Sequence, residues 1–418
     1  MYDSYPTFGE LLVNSIHTDN TKIGEDNGGQ RIEAYNLNIA AGTGGDAGLY
    51  RSYSLLSNRA SRAIAGAALL TIDAGNTADL ALRDNLVGQA YAMRAFAHLK
   101  MFEYFTPNYL DLTGSAPPYI DFVAVSSTFP AKSTVAEYTA KLQADFDTAD
   151  SLLEAGNSID VANKNMVTFM RARFAIATGK NVDAINFATT LITLSGTRLA
   201  TIAEYPLMFQ DLDNNEVIFK RDYIIGEQGS NAGVWFFTGT GGEIMEVSTD
   251  LVNELDQVND PARYNATILL GTPSGALGIG KYQGSDGVPF LGDMKEMRIS
   301  ELYLLRAEAH ARENQLTQAA ANIQTLRDAR LVTSPAVSYI SRDAALNDIL
   351  AERRLELCFE GHRWKDLKRF GQGFTRDAAD CGGATPCTLS AGDFRFTLPY
   401  PETEVLNNPN FLDNNPGY

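Results

Sequence analysis

Histidine, tryptophan and cysteine are scarce in this chain of 418 residues, which has four, two and three of them. His17, His98, His310 and His362 lie far apart and none forms a His-x-x-x-His pair, which argues against a zinc hydrolase. Cys358 falls in a helical stretch and reads as a small buried residue. Cys381 and Cys387 bracket a Gly/Pro loop (CGGATPC) and could close a small disulfide in an oxidising compartment. A metal site there would need further ligands nearby, and none stands close in sequence. Cations are outnumbered, with 34 Lys and Arg against 51 Asp and Glu, a formal net charge of −17 and a pI near 4.7. That balance excludes the clustered cations that nucleic-acid or anionic-membrane surfaces require. No stretch approaches the roughly 18 apolar residues of a membrane span. The opening MYDSYPTFGELL has neither the basic nor the apolar region of a signal peptide.

Motifs of catalysis are also missing. The glycine runs at 42–48 (GTGGDAG), 238–243 (TGTGGE) and 275–282 (GALGIGKY) lack the Lys-Ser/Thr of a phosphate loop and read as flexible turns. No Gly-x-Ser-x-Gly elbow occurs. DLDNNE (211–216) imitates the opening of a calcium loop, but it has no glycine at the sixth position and Asp222 stands at the twelfth. It reads as a turn feeding a strand. No pair of carboxylates is singled out for glycoside hydrolysis. The expectation is a protein without catalytic residues, metal or cofactor.

What is present is helical periodicity over a composition that is 44% hydrophobic. Residues 1–47 are rich in Gly, Asn and Asp and read as mostly irregular with one short helix. Tyr53, Leu56, Ala60, Ile64 and Ala67 mark a helical face, and DAGN (73–76) supplies a turn. Leu86, Ala90, Met93, Ala97 and Met101 mark the next. Thr134 and Glu137 form a capping box ahead of Val135, Tyr138, Leu142, Ala149 and Leu153. Helices over Met166–Thr178 and Val182–Leu194 follow. Between about 200 and 293 the helical period fades: NNEVIFKRDYII (214–225) reads as a strand, and VWFF (234–237) as a second candidate strand. Helices return at Ile299, Leu302, Leu305 and Ala309, then at Leu316, Ala319, Ile323 and Leu326, a two-helix block of tetratricopeptide length.

The stretch from Ala344 to Phe370 places charges among its core-directed residues. Arg353 and Glu360 share the stripe of Leu346, Leu350 and Leu357, while Glu352 and Glu356 share that of Ile349 and Phe359. Buried charge is costly unless paired, so this pattern predicts an internal ion-pair network that organises packing. The ordered run Glu352-Arg353-Arg354-Leu355-Glu356-Leu357, Phe359-Glu360-Gly361-His362-Arg363-Trp364 and Asp366-Leu367-Lys368-Arg369 resembles the C-terminal motif of the SusD/RagB family. Further resemblances lie at Arg94-Ala95 with Phe102 and Tyr104, at Asp145-Phe146 with Ala149, and at Glu301, Arg306-Ala307-Glu308-Ala309 and Asn322. The terminal LPYPETEVLNNPNFLDNNPGY resembles the family's C-terminus. FTPNYLDLTGSAPPY stands where the family usually carries a Tyr-Gly-Asp turn. The resemblance covers about four-fifths of the chain and is weakest over 1–47 and 200–290.

The resemblance implies a mainly α fold: a tetratricopeptide-like helical-repeat scaffold with a large region of loops and short strands. It implies one domain over 1–418, with scaffold over about 49–199 and 294–370, an irregular ligand side over about 200–293, and a tail over 371–418. It further implies a non-enzymatic, lipid-anchored protein on the extracellular face of the outer membrane. Such a protein captures a glycan for a SusC-like TonB-dependent transporter, and its precursor carries a signal and a lipidated cysteine. The alternatives are a peptide-capturing RagB-like protein, or a helical-repeat interaction scaffold with a large concave groove and no loop pocket. The motif helices belong to the scaffold, so ligand contacts are expected in the loops. There a flat ring can stack on the apolar face of a sugar while neighbouring polar groups hold its hydroxyls. Trp235, Phe236, Tyr282 and Phe290 are the candidates, against the reading that these rings cover the loop region's own small core. Trp364, in the scaffold stretch, is expected to be packed.

Overall fold

Helices form where the apolar period is regular, and side chains at their first turns satisfy the free backbone N–H groups. The computed structural model describes residues 7–42, 44–154, 156, 158–227, 231–285, 287–381 and 386–418. Fifteen α-helices and only short, two-stranded sheets occur among them, so the fold is mainly α and tetratricopeptide-like. Two compact units share the chain: Ile39–Lys180 with Phe394–Tyr418, and Thr7–Asn38 with Asn181–Asp393.

In the first unit, long helices run over Gly44–Ala67, Thr77–Phe105, Val135–Leu152 and Lys164–Ala177. Asn76 caps the second, accepting from the Asp79 N–H, and Asn163 caps the fourth in the same way. The Thr134–Glu137 capping box is present with both reciprocal bonds. Arg94 and Asp145, on different helices, meet in a bidentate pair at 2.6 and 2.8 Å, and the Tyr119 hydroxyl donates to the same carboxylate at 2.7 Å. His98 stacks on Tyr119 with ring centroids 3.8 Å apart and bonds Ser57 Oγ and Tyr138 Oη, each at 2.9 Å. Burial pushes its pKa down to about 3. The C-terminal segment docks here. Leu398 N–H donates to the Tyr104 carbonyl, and the buried Asn415 amide donates to the Phe105 and Leu398 carbonyls.

In the second unit, Ile299–Arg312 and Leu316–Arg330 form the expected helix pair, turning through Asn314 in a left-handed conformation. Leu304, Ala307 and Ala311 pack with Ala319, Ile323 and Leu326 and with Ala345, Ile349 and Leu357 of the Arg342–Leu357 helix. The strand expected near 214–225 is Val217–Arg221, paired antiparallel with Met294–Arg298. Residues 234–237 do not form a strand. Ala232–Val234 make a single 3-10 turn, and Phe236 has only an isolated bridge to Glu243.

The stretch from Ala344 to Phe370 is two helices rather than one. Cys358 caps the first, Phe359 and Gly361 take positive φ (64° and 84°), and Arg363–Phe370 begins a new axis. Its charges are paired with other elements, and this closes the predicted network. Glu352 meets Arg263 (2.6 Å) and Arg327 (2.7 Å); Glu356 meets Arg330 (2.9 Å) and Arg298 (3.2 Å); Glu360 meets Lys281 (2.6 Å) and Arg298 (2.7 Å). Arg353 pairs with Asp366 at 2.8 Å. Burial opposes ionisation of Glu356, but Arg330 and Arg298 outweigh it and hold the carboxyl well below the usual range.

Candidate functional site

Four short strands of the second unit carry the loops from which a cleft is built. Thr21–Ile23 pairs antiparallel with Met245–Val247, and Ile268–Leu269 pairs with Gly278–Ile279, which lies beside Val247 through the Val247 N–H to Leu277 carbonyl bond. Three turns project from this frame. The first holds Asp26: Gly24 N–H and the Asn27 side chain both donate to the Ile244 carbonyl, at 3.0 and 2.8 Å. The second spans Phe237–Gly242, closed by Phe237 N–H to the Gly242 carbonyl (2.9 Å) and Gly241 N–H to the Phe237 carbonyl (2.7 Å). The third carries Pro273, with Gly275 N–H donating to the Thr272 carbonyl and Ser274 Oγ donating to Glu243 Oε2 at 2.8 Å.

Between the turns lies an open cleft of about 700 Å³, lined by Asp26, Phe237, Thr238, Gly239, Thr240, Gly242 and Pro273. Phe237 is half-buried, while Asp26, Thr238, Thr240 and Pro273 are exposed. The first and second turns approach closely because position 242 is glycine: a Cβ there would sit 2.9 Å from Asp26 Oδ2 and 3.2 Å from its Cβ. An aromatic ring, two hydroxyls and a carboxylate around one concavity can bind a small polyhydroxylated molecule by stacking and hydrogen bonds.

The four rings expected to form the binding face are placed differently from an open platform. Trp235, Phe236 and Tyr282 are buried. Trp235 donates from Nε1 to Ser15 Oγ at 3.0 Å, stacks on Tyr282 at 6.4 Å and meets Phe359 edge-on at 5.5 Å. These rings cover the region's own core, the bland alternative weighed for them, because so large an apolar area is better removed from water. Phe290 is half-buried, packs against Phe236 (5.7 Å) and reaches Gly241 at the edge of the cleft. Phe237, one residue beyond Trp235 and Phe236, is the ring that lines it among the described residues. Asp26 was not foreseeable from sequence, since its neighbours lie more than two hundred residues away.

The other sequence candidates also resolve. In DLDNNE, Asp211 bonds Lys295, Asp213 accepts from Asn215, and Glu216 pairs with Arg298 and Arg330. Among the described residues no group of three or more His, Cys, Asp or Glu is placed to hold a metal ion. The GALGIGKY run is no flexible turn. Gly278 is a strand residue whose Cβ would meet the Phe236 ring at 3.2 Å. Cys381 and Cys387 are joined in a disulfide, Cα–Cα 5.5 Å. Trp364 is packed, beside His17 at 5.6 Å.

Comparison with known proteins bears on the fold. The fold aligns over 99% of this chain with a SusD superfamily protein from Bacteroides thetaiotaomicron, at a TM-score of 0.85, 22% identity and 95% coverage of that chain. A SusD-like carbohydrate binding protein from Bacteroides vulgatus aligns over 97% of this chain and 93% of its own, at 0.81 and 18% identity. The SusD family model matches residues 291–418. The C-terminal part of the chain is thus similar to the SusD family, and the chain as a whole has the fold of these SusD superfamily structures. SusD-like protein P2 from Formosa agariphila is 30% identical over 132 residues, 29% of this chain and 25% of that relative. The chain thus aligns over about a quarter of the length of the curated relatives it matches. The family match covers the ion-pair network's Glu356 and Glu360 and the docked C-terminal segment; the three turns of the cleft lie outside it.

Proposed function

We propose that this chain is a SusD/RagB protein, a non-enzymatic cell-surface binding protein that captures a glycan for import through a partner SusC-like TonB-dependent transporter. The observation that carries the reading is the cleft: Phe237 supplies an apolar face, and Thr238, Thr240 and Asp26 surround it with acceptors and donors suited to sugar hydroxyls. Phe290 flanks it, and the buried Trp235, Phe236 and Tyr282 hold the second turn's base in place. An ion-paired scaffold behind a cleft built from three turns suits a protein whose ligand is set by the loops. The reading includes anchoring on the extracellular face of the outer membrane, which the resemblance to the SusD family supports. Among the described residues no helix is long and apolar enough to cross a membrane.

Affinity electrophoresis against a panel of polysaccharides, beside a panel of mixed peptides, tests the reading. One or more glycans retard the protein, and Phe237→Ala abolishes the retardation without lowering the melting temperature. Silence from every glycan together with a peptide signal would move the protein to the peptide-capturing branch. Purification from outer membranes with no barrel partner would remove the transporter from the proposal.

A further inference from the structure

We infer that the cleft selects uncharged saccharides and rejects anionic ones, those bearing uronate or sulfate groups. This rests on the capture reading above and narrows it to a ligand class. Among the described residues that line the cleft, Asp26 is the one charged group, and no Lys or Arg stands with it. Its carboxylate lies over the Gly242 backbone, where the two turns approach closely. Directly behind follows Glu243, which is fully buried. One of its oxygens accepts from Ser274 Oγ, while Oε1 has no hydrogen-bond partner among the described residues. Lys22, on the Thr21–Ile23 strand of the frame, is engaged with Glu246 at 3.3 Å. The exposed carboxylate at the rim, with no cation beside it among the described lining residues, gives the cleft a negative potential within a chain of net charge −17.

The chemistry follows from the signs. An uncharged pyranose offers hydroxyl donors, and an ionised carboxylate is a strong two-oxygen acceptor for adjacent hydroxyls. A uronate or sulfate ester brings like charge to the same wall and finds no guanidinium or ammonium to take it. Asp26 is exposed, so the discrimination is screened by salt over roughly 8 Å at physiological ionic strength. It is therefore strongest at low salt.

The test titrates the full chain and Asp26→Lys with two probe sets at low and high salt. One set holds neutral hexamers of glucose, mannose, galactose and xylose; the other holds hexagalacturonate, alginate oligomers and a sulfated galactan. The wild type is expected to bind a neutral probe at least about tenfold more tightly than any anionic one at low salt. Asp26→Lys should weaken the neutral probe about tenfold and gain anionic binding, with an unchanged melting temperature because the side chain is exposed. An anionic probe as the tightest wild-type ligand, unaffected by Asp26→Lys, overturns the selectivity and leaves capture standing. Silence from both sets overturns capture itself, and this inference with it.

Discussion

Glu356→Gln is the perturbation that probes the scaffold most sharply. The carboxylate is fully buried, and its two oxygens take the Arg330 Nε and Nη2 at 2.9 Å each and Arg298 Nη1 at 3.2 Å, with Arg263 at 4.0 Å. Glutamine keeps the volume and one acceptor but turns an NH2 toward a guanidinium. Breaking one partner of a buried pair costs about 3–5 kcal/mol, because the opposite charge is left uncompensated. Here both arginines keep other partners, Glu216 for each and Glu360 for Arg298. That places the expected loss near the lower end, about 3 kcal/mol. Urea unfolding followed by tryptophan fluorescence reads it, since Trp235 and Trp364 are both buried in this unit. Glycan affinity should not change, because Glu356 touches none of the cleft-lining residues. A loss under about 1 kcal/mol would refute the network as an organiser of the core.

Acid should weaken the fold before the carboxylates titrate. The folded pKa of His98 is depressed to about 3, so the unfolded chain takes up a proton first, near pH 6.5, and stability falls as pH drops between those values. The slope is about 1.4 kcal/mol per pH unit, about 2 kcal/mol between pH 6.5 and 5, with a smaller push in the same direction from the half-buried His310; His98→Gln should flatten it in unfolding curves taken at several pH values. Below about pH 4.5 the depressed carboxyls of Glu356, Asp19 and Glu308 add to the loss, because the unfolded chain takes up their protons before the folded one does. Gly242→Ala should shift the melting temperature little, since the exposed Asp26 side chain can move, yet weaken glycan binding in a calorimetric titration because that movement displaces the carboxylate. Maleimide should label no thiol on the folded, unreduced protein and one, Cys358, after unfolding: its thiol is buried and pushed up in pKa, and the other two cysteines are bonded.

The scaffold was legible in the sequence because its signals are local. The Thr134–Glu137 box, the Ile299–Arg312 and Leu316–Arg330 pair and the misplaced charges at Glu352, Glu356 and Glu360 all follow from spacing over a few turns. The cations that answer those charges, Arg263, Arg298, Arg327, Arg330 and Lys281, could not be assigned, since each comes from another element. The break at Phe359–Gly361 was hidden by continuous apolar spacing across it. The cleft was least legible. Gly-rich composition suggested exposure for Trp235 and Tyr282, whereas strand contacts with residues distant in sequence buried both and left Phe237 at the turn. Asp26 reaches Gly242 only through the pairing of Thr21–Ile23 with Met245–Val247.

Isothermal titration of the wild type and Phe237→Ala with the glycan that best retards the protein tests the central claim most directly. Loss of the ring face should weaken binding about tenfold, about 1.4 kcal/mol, with the unfolding midpoint unchanged. Equal affinity in the two proteins would contradict the placement of the ligand in this cleft.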